Sequence, residues 1–193
     1  MSDLFSHDSY LIRTKIFSLF SPSFFIESPT GKVILFTKKK AFKLKEDIRV
    51  YTGEDQRTEV LTIQARSLLD FSAAYDVVDS RSGETVGALR REGLRSMLRD
   101  QWQILNPQGA QIGTIREDSD GLALARRFLS NLIPQSFDIL MTGTVVGEAK
   151  QNFNPFHLKM ELDFSLDTRR QLDRRLGVAA GILLATIEGR QKD

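Results

Sequence analysis

The chain has 193 residues, a net charge of +2, 41% hydrophobic and 27% charged residues, the balance of an ordinary globular protein. It has no cysteine, which excludes disulfides, thiolate metal sites, cysteine nucleophiles and palmitoyl anchors. So small a charge gives no global field that would demand nucleic acid, yet seven of the ten Lys fall between Lys15 and Lys45, so a local basic face is open.

The chain opens without a basic stretch followed by an apolar run, so no signal peptide is expected there. Residues 1–9, with His7, read as a loose terminus. The first of four similar segments follows at residues 25–34. The others are 76–87, 103–113 and 138–147. Each holds an apolar strand, a turn ending in glycine (Gly31, Gly83, Gly109, Gly143) and a β-branched residue three positions later (Ile34, Val86, Ile112, Val146). Glycine at such a point supplies the positive φ of a tight hairpin. A looser fifth turn lies at Gly53.

Between the hairpins a second element recurs. A basic residue precedes a small apolar cluster, and a new strand starts several residues later, as from Lys15 to Phe24 and from Arg66 to Tyr75. Six such units predict about twelve strands. Alternation supports them: Leu61, Ile63 and Ala65 share a face, as do Phe71, Ala73, Tyr75 and Val77. Farther on, Phe156, Leu158, Met160, Leu162 and Phe164 face one way, with His157 on the opposite, exposed side.

Two basic clusters punctuate this pattern. Lys38, Lys39, Lys40, Lys43 and Lys45 suit contact with anionic headgroups, where each Lys contributes on the order of 1 kcal/mol. They also suit a solvated strand edge guarded against pairing, the plainer reading of such a run. Arg90, Arg91, Arg95 and Arg99, interleaved with Leu94, Met97 and Leu98, suit phosphate binding or a barrel rim covered by snorkelling side chains. Arg126 and Arg127 read the same way, within a short helix predicted over 119–134 and ended by Pro134.

The C-terminal segment is predicted as a helix over 167–188, capped by Asp167, with Arg169, Arg170, Arg174 and Arg175 keeping its first turns in water. Residues 176–187 are apolar all round, which places that half inside something. At about 1.5 Å per residue they span roughly 18 Å, short of the ~30 Å hydrocarbon core. A closed barrel of about twelve strands is too wide for side chains alone to fill. The helix is the expected filler, with Gly177, Ala179, Ala180 and Gly181 keeping it slim. The predicted fold is mostly β: one domain, a closed antiparallel barrel of about twelve strands around a central hydrophobic C-terminal helix.

Twelve strands about such a helix resemble the tubby C-terminal-like superfamily, and within it the phospholipid scramblase and LURP-one-related branch. The resemblance runs from Tyr10 to Gly189 and is most specific in residues 40–51, residues 75–83 and the terminal helix. It implies the tubby-like barrel. It also implies a link to lipid, because tubby domains bind phosphoinositide headgroups through a basic surface and scramblases are associated with calcium-dependent lipid movement. The chain lacks the Pro-rich tail and cysteine cluster of animal scramblases. Asp163, Asp167 and Asp173 lie near their calcium segment without its ligand spacing.

No catalytic residue, metal or cofactor is expected. His7 and His157 have no nucleophile or ligand at motif spacing, and the glycines lie in hairpins rather than in a phosphate loop. Asp163 and Asp167 read as capping residues before an acid/base pair. The expectation is a non-enzymatic binding module in the cytoplasm, peripheral to a membrane, with anionic phospholipid as its partner and no nucleic acid. The alternatives are scramblase-type lipid transfer and a structural or protein-interaction domain without a lipid role.

Overall fold

The computed structural model describes residues 3–14, 23–39, 47–66, 74–92, 101–117, 135–152 and 158–187. In chain order the strands are β1 (Ser9–Thr14), β2 (Ser23–Glu27), β3 (Val33–Lys39), β4 (Asp47–Tyr51), β5 (Glu59–Ala65) and β6 (Ala74–Asp79). They continue as β7 (Glu84–Arg91), β8 (Gln101–Leu105), β9 (Gln111–Glu117), β10 (Ser136–Met141), β11 (Thr144–Asn152) and β12 (Lys159–Asp163). A helix, α1 (Arg174–Ile187), follows. Each strand pairs antiparallel with its neighbours in the chain, and β1 pairs with β12 to close a twelve-stranded barrel.

The repeated turns account for much of the curvature. Gly31, Gly83, Gly109 and Gly143 take positive φ between 73° and 85°. Two of the turns are near copies: Gly31 N–H donates to Ser28 O and Gly109 N–H to Asn106 O, both at 2.9 Å, with Pro29 and Pro107 second in their turns. The β-branched residue three positions past each glycine has a specific job. Ile34, Val86, Ile112 and Val146 are all skipped in the pairing register, each a β-bulge in the second strand of its hairpin. Val60 is skipped in the same way between β4 and β5. A bulge bends its strand and increases the local twist, so the sequence repeat bends the sheet four times at the same level and Val60 does so a fifth time.

The inner face buries Ile12, Ile26, Leu35, Val50, Ile63, Val77, Ile104, Ile139 and Leu162, among others, around α1. Leu176, Val178, Ala179, Ile182, Leu183 and Leu184 of the helix are buried as well. The helix lies against β6 and β7 on one side and β12 and β1 on the other. A Cβ added at Gly181 would stand 2.7 Å from Leu162 Cδ1 and 2.8 Å from Ile12 Cδ1, so glycine is what lets the helix come this close to the wall. No helix among the described residues is long and apolar enough to cross a membrane.

Three details correct the expectations. Residues 3–8, ahead of β1, are not loose: Asp3–Phe5 form a 3-10 turn with Leu4 and Phe5 packed on the core, and His7 stands edge-on to Tyr10 at 5.7 Å. Apolar side chains at positions 4 and 5 gain burial by covering the barrel end. The helix starts at Arg174 rather than 167, because Asp173 caps it, accepting the Arg175 N–H at 2.8 Å. Asp167 instead closes the preceding loop, accepting the N–H groups of Gln171 and Leu172 at 2.8 and 3.0 Å. Finally, Arg174 is buried rather than in water. Phe71, Ala73, Phe156, His157 and residues 119–134 lie outside the described residues.

Candidate functional site

The up-and-down order of the strands gives the barrel two unlike ends. At one end lie the tight turns over 28–32, 52–58, 80–83, 106–110 and 142–143 and the loop over 164–173 that leads into α1. At the other end, here the rim, lie the strand ends that flank residues 15–22, 40–46, 67–73, 93–100, 118–134 and 153–157. Both predicted basic clusters have their described members at the rim.

Lys38 is exposed near the rim end of β3 and has no ion pair among the described residues. Its neighbours across the sheet are Ser23 on β2 and Arg49 on β4. Lys39 lies one position farther, opposite Ile48. Lys40, Lys43 and Lys45 lie outside the described residues. In the second cluster Arg90 donates to Gln103 Oε1, and Gln103 Nε2 donates in turn to Glu92 at 2.6 Å. Arg91 lies opposite Trp102 in the register and is partnered. Arg95, Arg99, Arg126 and Arg127 lie outside the described residues.

The described members of the two clusters stand on strands that are not neighbours. β3 and β7 are separated by β4, β5 and β6, about 19 Å of circumference at the usual spacing of strands. What adjoins Lys38 comes from elsewhere in the chain. Barrel closure sets Arg13 of β1 directly across from Lys159 of β12, and β2 lies between that pair and Lys38. Lys159, Arg13, Lys38 and Arg49 therefore stand on the outer surface of five consecutive strands near the rim. Arg13 pairs with Glu27 and lies 4.7 Å over the Phe25 ring. Arg49 pairs with Glu59 at 2.9 Å and with Asp47 at 3.2 Å. Lys38 and Lys159 have no such partner among the described residues, so they are the cations with charge to spare. Arg13 and Lys159 are 146 positions apart, and no local pattern in the sequence marks them as neighbours.

The turn end uses its charges differently. Arg174 donates to Asp167 at 2.7 Å and lies 3.1 Å from Asp8. Arg175 binds Asp173 at 2.7 Å, Glu84 at 2.8 Å and Asp79 at 3.2 Å, and Arg81 binds Asp79 at 2.7 Å. Hydrogen bonds from Arg81 first, then from Arg175, hold the Asp79 carboxyl well below the usual range, against the effect of its burial. These arginines are consumed in fixing the helix to the barrel. Asp163 accepts the Ser165 N–H at 2.8 Å and Asp167 is committed as above, so neither is poised for proton transfer. Among the described residues no group of His, Asp or Glu side chains could hold a metal ion.

A family model described as LURP-one-related matches residues 33–185, most of the chain. Among curated proteins none matches it.

Proposed function

Since the chain belongs to the LURP-one-related family, a family of the tubby-like superfamily, we propose that it is a non-enzymatic binding module that engages anionic phospholipid headgroups at a membrane surface. The observation that carries this reading is the exposed Lys38, without an ion pair among the described residues, beside Arg49 and in one outer stripe with Arg13 and Lys159. Cations without internal partners are available to phosphate, each contributing on the order of 1 kcal/mol near an anionic surface. The helix occupies the barrel interior, which supports recognition on the outside. In this reading the protein works in the cytoplasm as a peripheral membrane protein, with no cofactor.

A lipid-transfer activity that inserted α1 into a bilayer has an energetic obstacle. Withdrawing the helix would turn a lining of Ile, Leu and Val toward water, at about 1.5–3 kcal/mol for each large side chain uncovered. A few such residues equal the whole stability of a typical domain.

Flotation with vesicles of phosphatidylcholine alone and of phosphatidylcholine mixed with phosphatidylserine tests the proposal. Binding that requires the anionic lipid and weakens in high salt is expected. Absence of binding to either vesicle would remove the lipid reading and leave a protein-interaction domain.

A further inference from the structure

Two of the hairpins are built on one plan. The register of β2 with β3 and that of β8 with β9 agree position for position: Phe24 faces Thr37 as Trp102 faces Ile115, and Phe25 faces Phe36 as Gln103 faces Thr114. Their turns are the near copies at Gly31 and Gly109. In a barrel of twelve strands these hairpins stand six strands apart, on opposite walls. Inward positions agree in kind, with Phe24, Ile26, Trp102 and Ile104 all buried in the core. The outward ones do not. Where β8 and β9 carry Gln103 and Thr114, β2 and β3 carry two phenylalanines, so the hairpin itself does not call for aromatic side chains there.

Barrel closure extends that pair into a row. Lys159 of β12 lies opposite Arg13 of β1, Arg13 opposite Phe25, Phe25 opposite Phe36, and Phe36 opposite Tyr51 of β4. The residues beside them along the strands, Met160, Ile12, Phe24, Ile26, Leu35 and Val50, are buried in the core, which turns the row outward. The Phe25 and Phe36 rings are 5.6 Å apart, and Arg13 lies over the first of them. Phe25 and Tyr51 are half-buried, and the exposed Lys38 follows Phe36 at the next outward position of β3. Arg13 is neutralised by Glu27, and Arg49 by Glu59 and Asp47, so both can approach a medium of low polarity at less cost than an isolated charge. Lys38 and Lys159 have no ion pair among the described residues.

We propose that this wall, β12 with β1–β4, lies against an anionic bilayer, with Phe25 and Tyr51 entering the interface and Lys38 and Lys159 reaching the phosphates. Aromatic rings favour the level at which a bilayer passes from headgroup to hydrocarbon. A lysine beside them holds a phosphate while its stem stays on the apolar surface. A nucleic acid would call for more cations than these two, since its affinity comes from many phosphate contacts. The inference rests on the headgroup-binding reading and adds an apolar half to that contact. Salt therefore weakens binding without abolishing it.

Tryptophan fluorescence reads the orientation directly. Phe25→Trp puts a reporter in the row and Thr114→Trp puts one on the opposite wall, while the buried Trp102 gives both the same background. Each variant is mixed with vesicles of equal parts phosphatidylserine and phosphatidylcholine, with and without brominated acyl chains, and co-sedimentation reports binding separately. The expected result is a blue shift and bromine quenching for Phe25→Trp alone. Bound protein in which that reporter stays unquenched, or in which both are quenched equally, would overturn the wall contact while leaving headgroup binding intact. Failure to co-sediment would remove both. Phe25→Gln, which copies the second hairpin, should lower vesicle binding about fivefold at low and high salt alike, with a urea midpoint to confirm that it folds. A loss confined to low salt, or no loss, would also overturn the apolar contact.

Discussion

Arg174 and Asp167 meet at 2.7 Å with side chains only 3% and 0% exposed, at the point where the chain turns into the barrel to become its central helix. The arginine also donates to the Leu172 carbonyl at 3.1 Å and lies 4.9 Å over the Phe164 ring. A buried pair of this kind adds little beyond what a good apolar packing would give, but removing Asp167 leaves the buried guanidinium to the more exposed Asp8 at 3.1 Å. Asp167→Ala is therefore expected to lower stability by about 3–5 kcal/mol in urea unfolding followed through Trp102, the single tryptophan, which is buried in the barrel. A loss under about 1 kcal/mol would assign the pair the worth of an exposed one.

Stability should fall in acid. Burial alone would raise the Asp167 carboxyl, yet hydrogen bonds from Arg174, Leu172 N and Gln171 N outweigh it and hold it below its ordinary value of 3.8. Asp79 is lowered as well, chiefly by Arg81. Carboxyls lowered in the native state stabilise it above their unfolded value, and that stabilisation disappears as pH falls through the native one. Urea midpoints should drop steeply below about pH 4, and Asp79→Asn should be less stable at neutral pH with a shallower acid decline. An unchanged slope in this variant would show that Asp79 is not part of the linkage.

Alkali should act through Tyr10. Burial pushes its phenol up to about 12, against lowering contributions from the His7 backbone and from the nearby Arg174 and Arg170. A phenol raised in the native state stabilises the fold below its unfolded value of 10.0 and loses that effect as pH rises through about 12. Absorbance titration of the native protein should show a late-ionising tyrosine that Tyr10→Phe removes. If the variant instead lost a phenol ionising near 10, Tyr10 would have to be open to water.

Two glycines should respond differently to alanine. At Gly87, with φ of 155°, a Cβ would stand 2.4 Å from the backbone oxygen of Leu105, which belongs to the barrel wall and cannot step aside. At Gly181 the clashing atoms are the ends of the Leu162 and Ile12 side chains. There, overpacking of about 1–3 kcal/mol is offset by about 1 kcal/mol of helix propensity. Gly87→Ala should be the more destabilising in chemical denaturation. The reverse order would mean that the wall yields more readily than the core around α1.

Charge reversal should discriminate between the two ends. Lys38→Glu is expected to weaken binding to phosphatidylserine-containing vesicles by about 2 kcal/mol, through one attraction removed and one repulsion added. Lys32→Glu, at another exposed lysine in the first turn, should leave binding nearly unchanged. Equal losses in the two variants would point to net charge in place of a site.

Much of the barrel could be read residue by residue. Alternation in Leu61, Ile63 and Ala65 and the positive-φ glycines Gly31, Gly83, Gly109 and Gly143 are matters of some ten neighbouring residues, and each hairpin carries its own instructions. The recurring Ile34, Val86, Ile112 and Val146 were visible as a motif, although only the pairing register reveals them as bulges. The helix was legible because a segment apolar on every side needs an enclosure, and six strand pairs need a filler. Its first turn was misread, since Arg174 carries the same charge whether it faces water or a buried Asp167.

The rim was legible only in part. Lys38 stood out as a member of a lysine run, but nothing near Arg13 or Lys159 announces the other. Sequence by itself determined the local geometry (strands, turns and the helix that must be buried), because backbone preference and periodicity act over short distances. Closure of β1 on β12 decided which charges meet, which are neutralised and which stand without an ion pair among the described residues. Coulomb interactions depend on separation in space, and only the closed fold sets that separation.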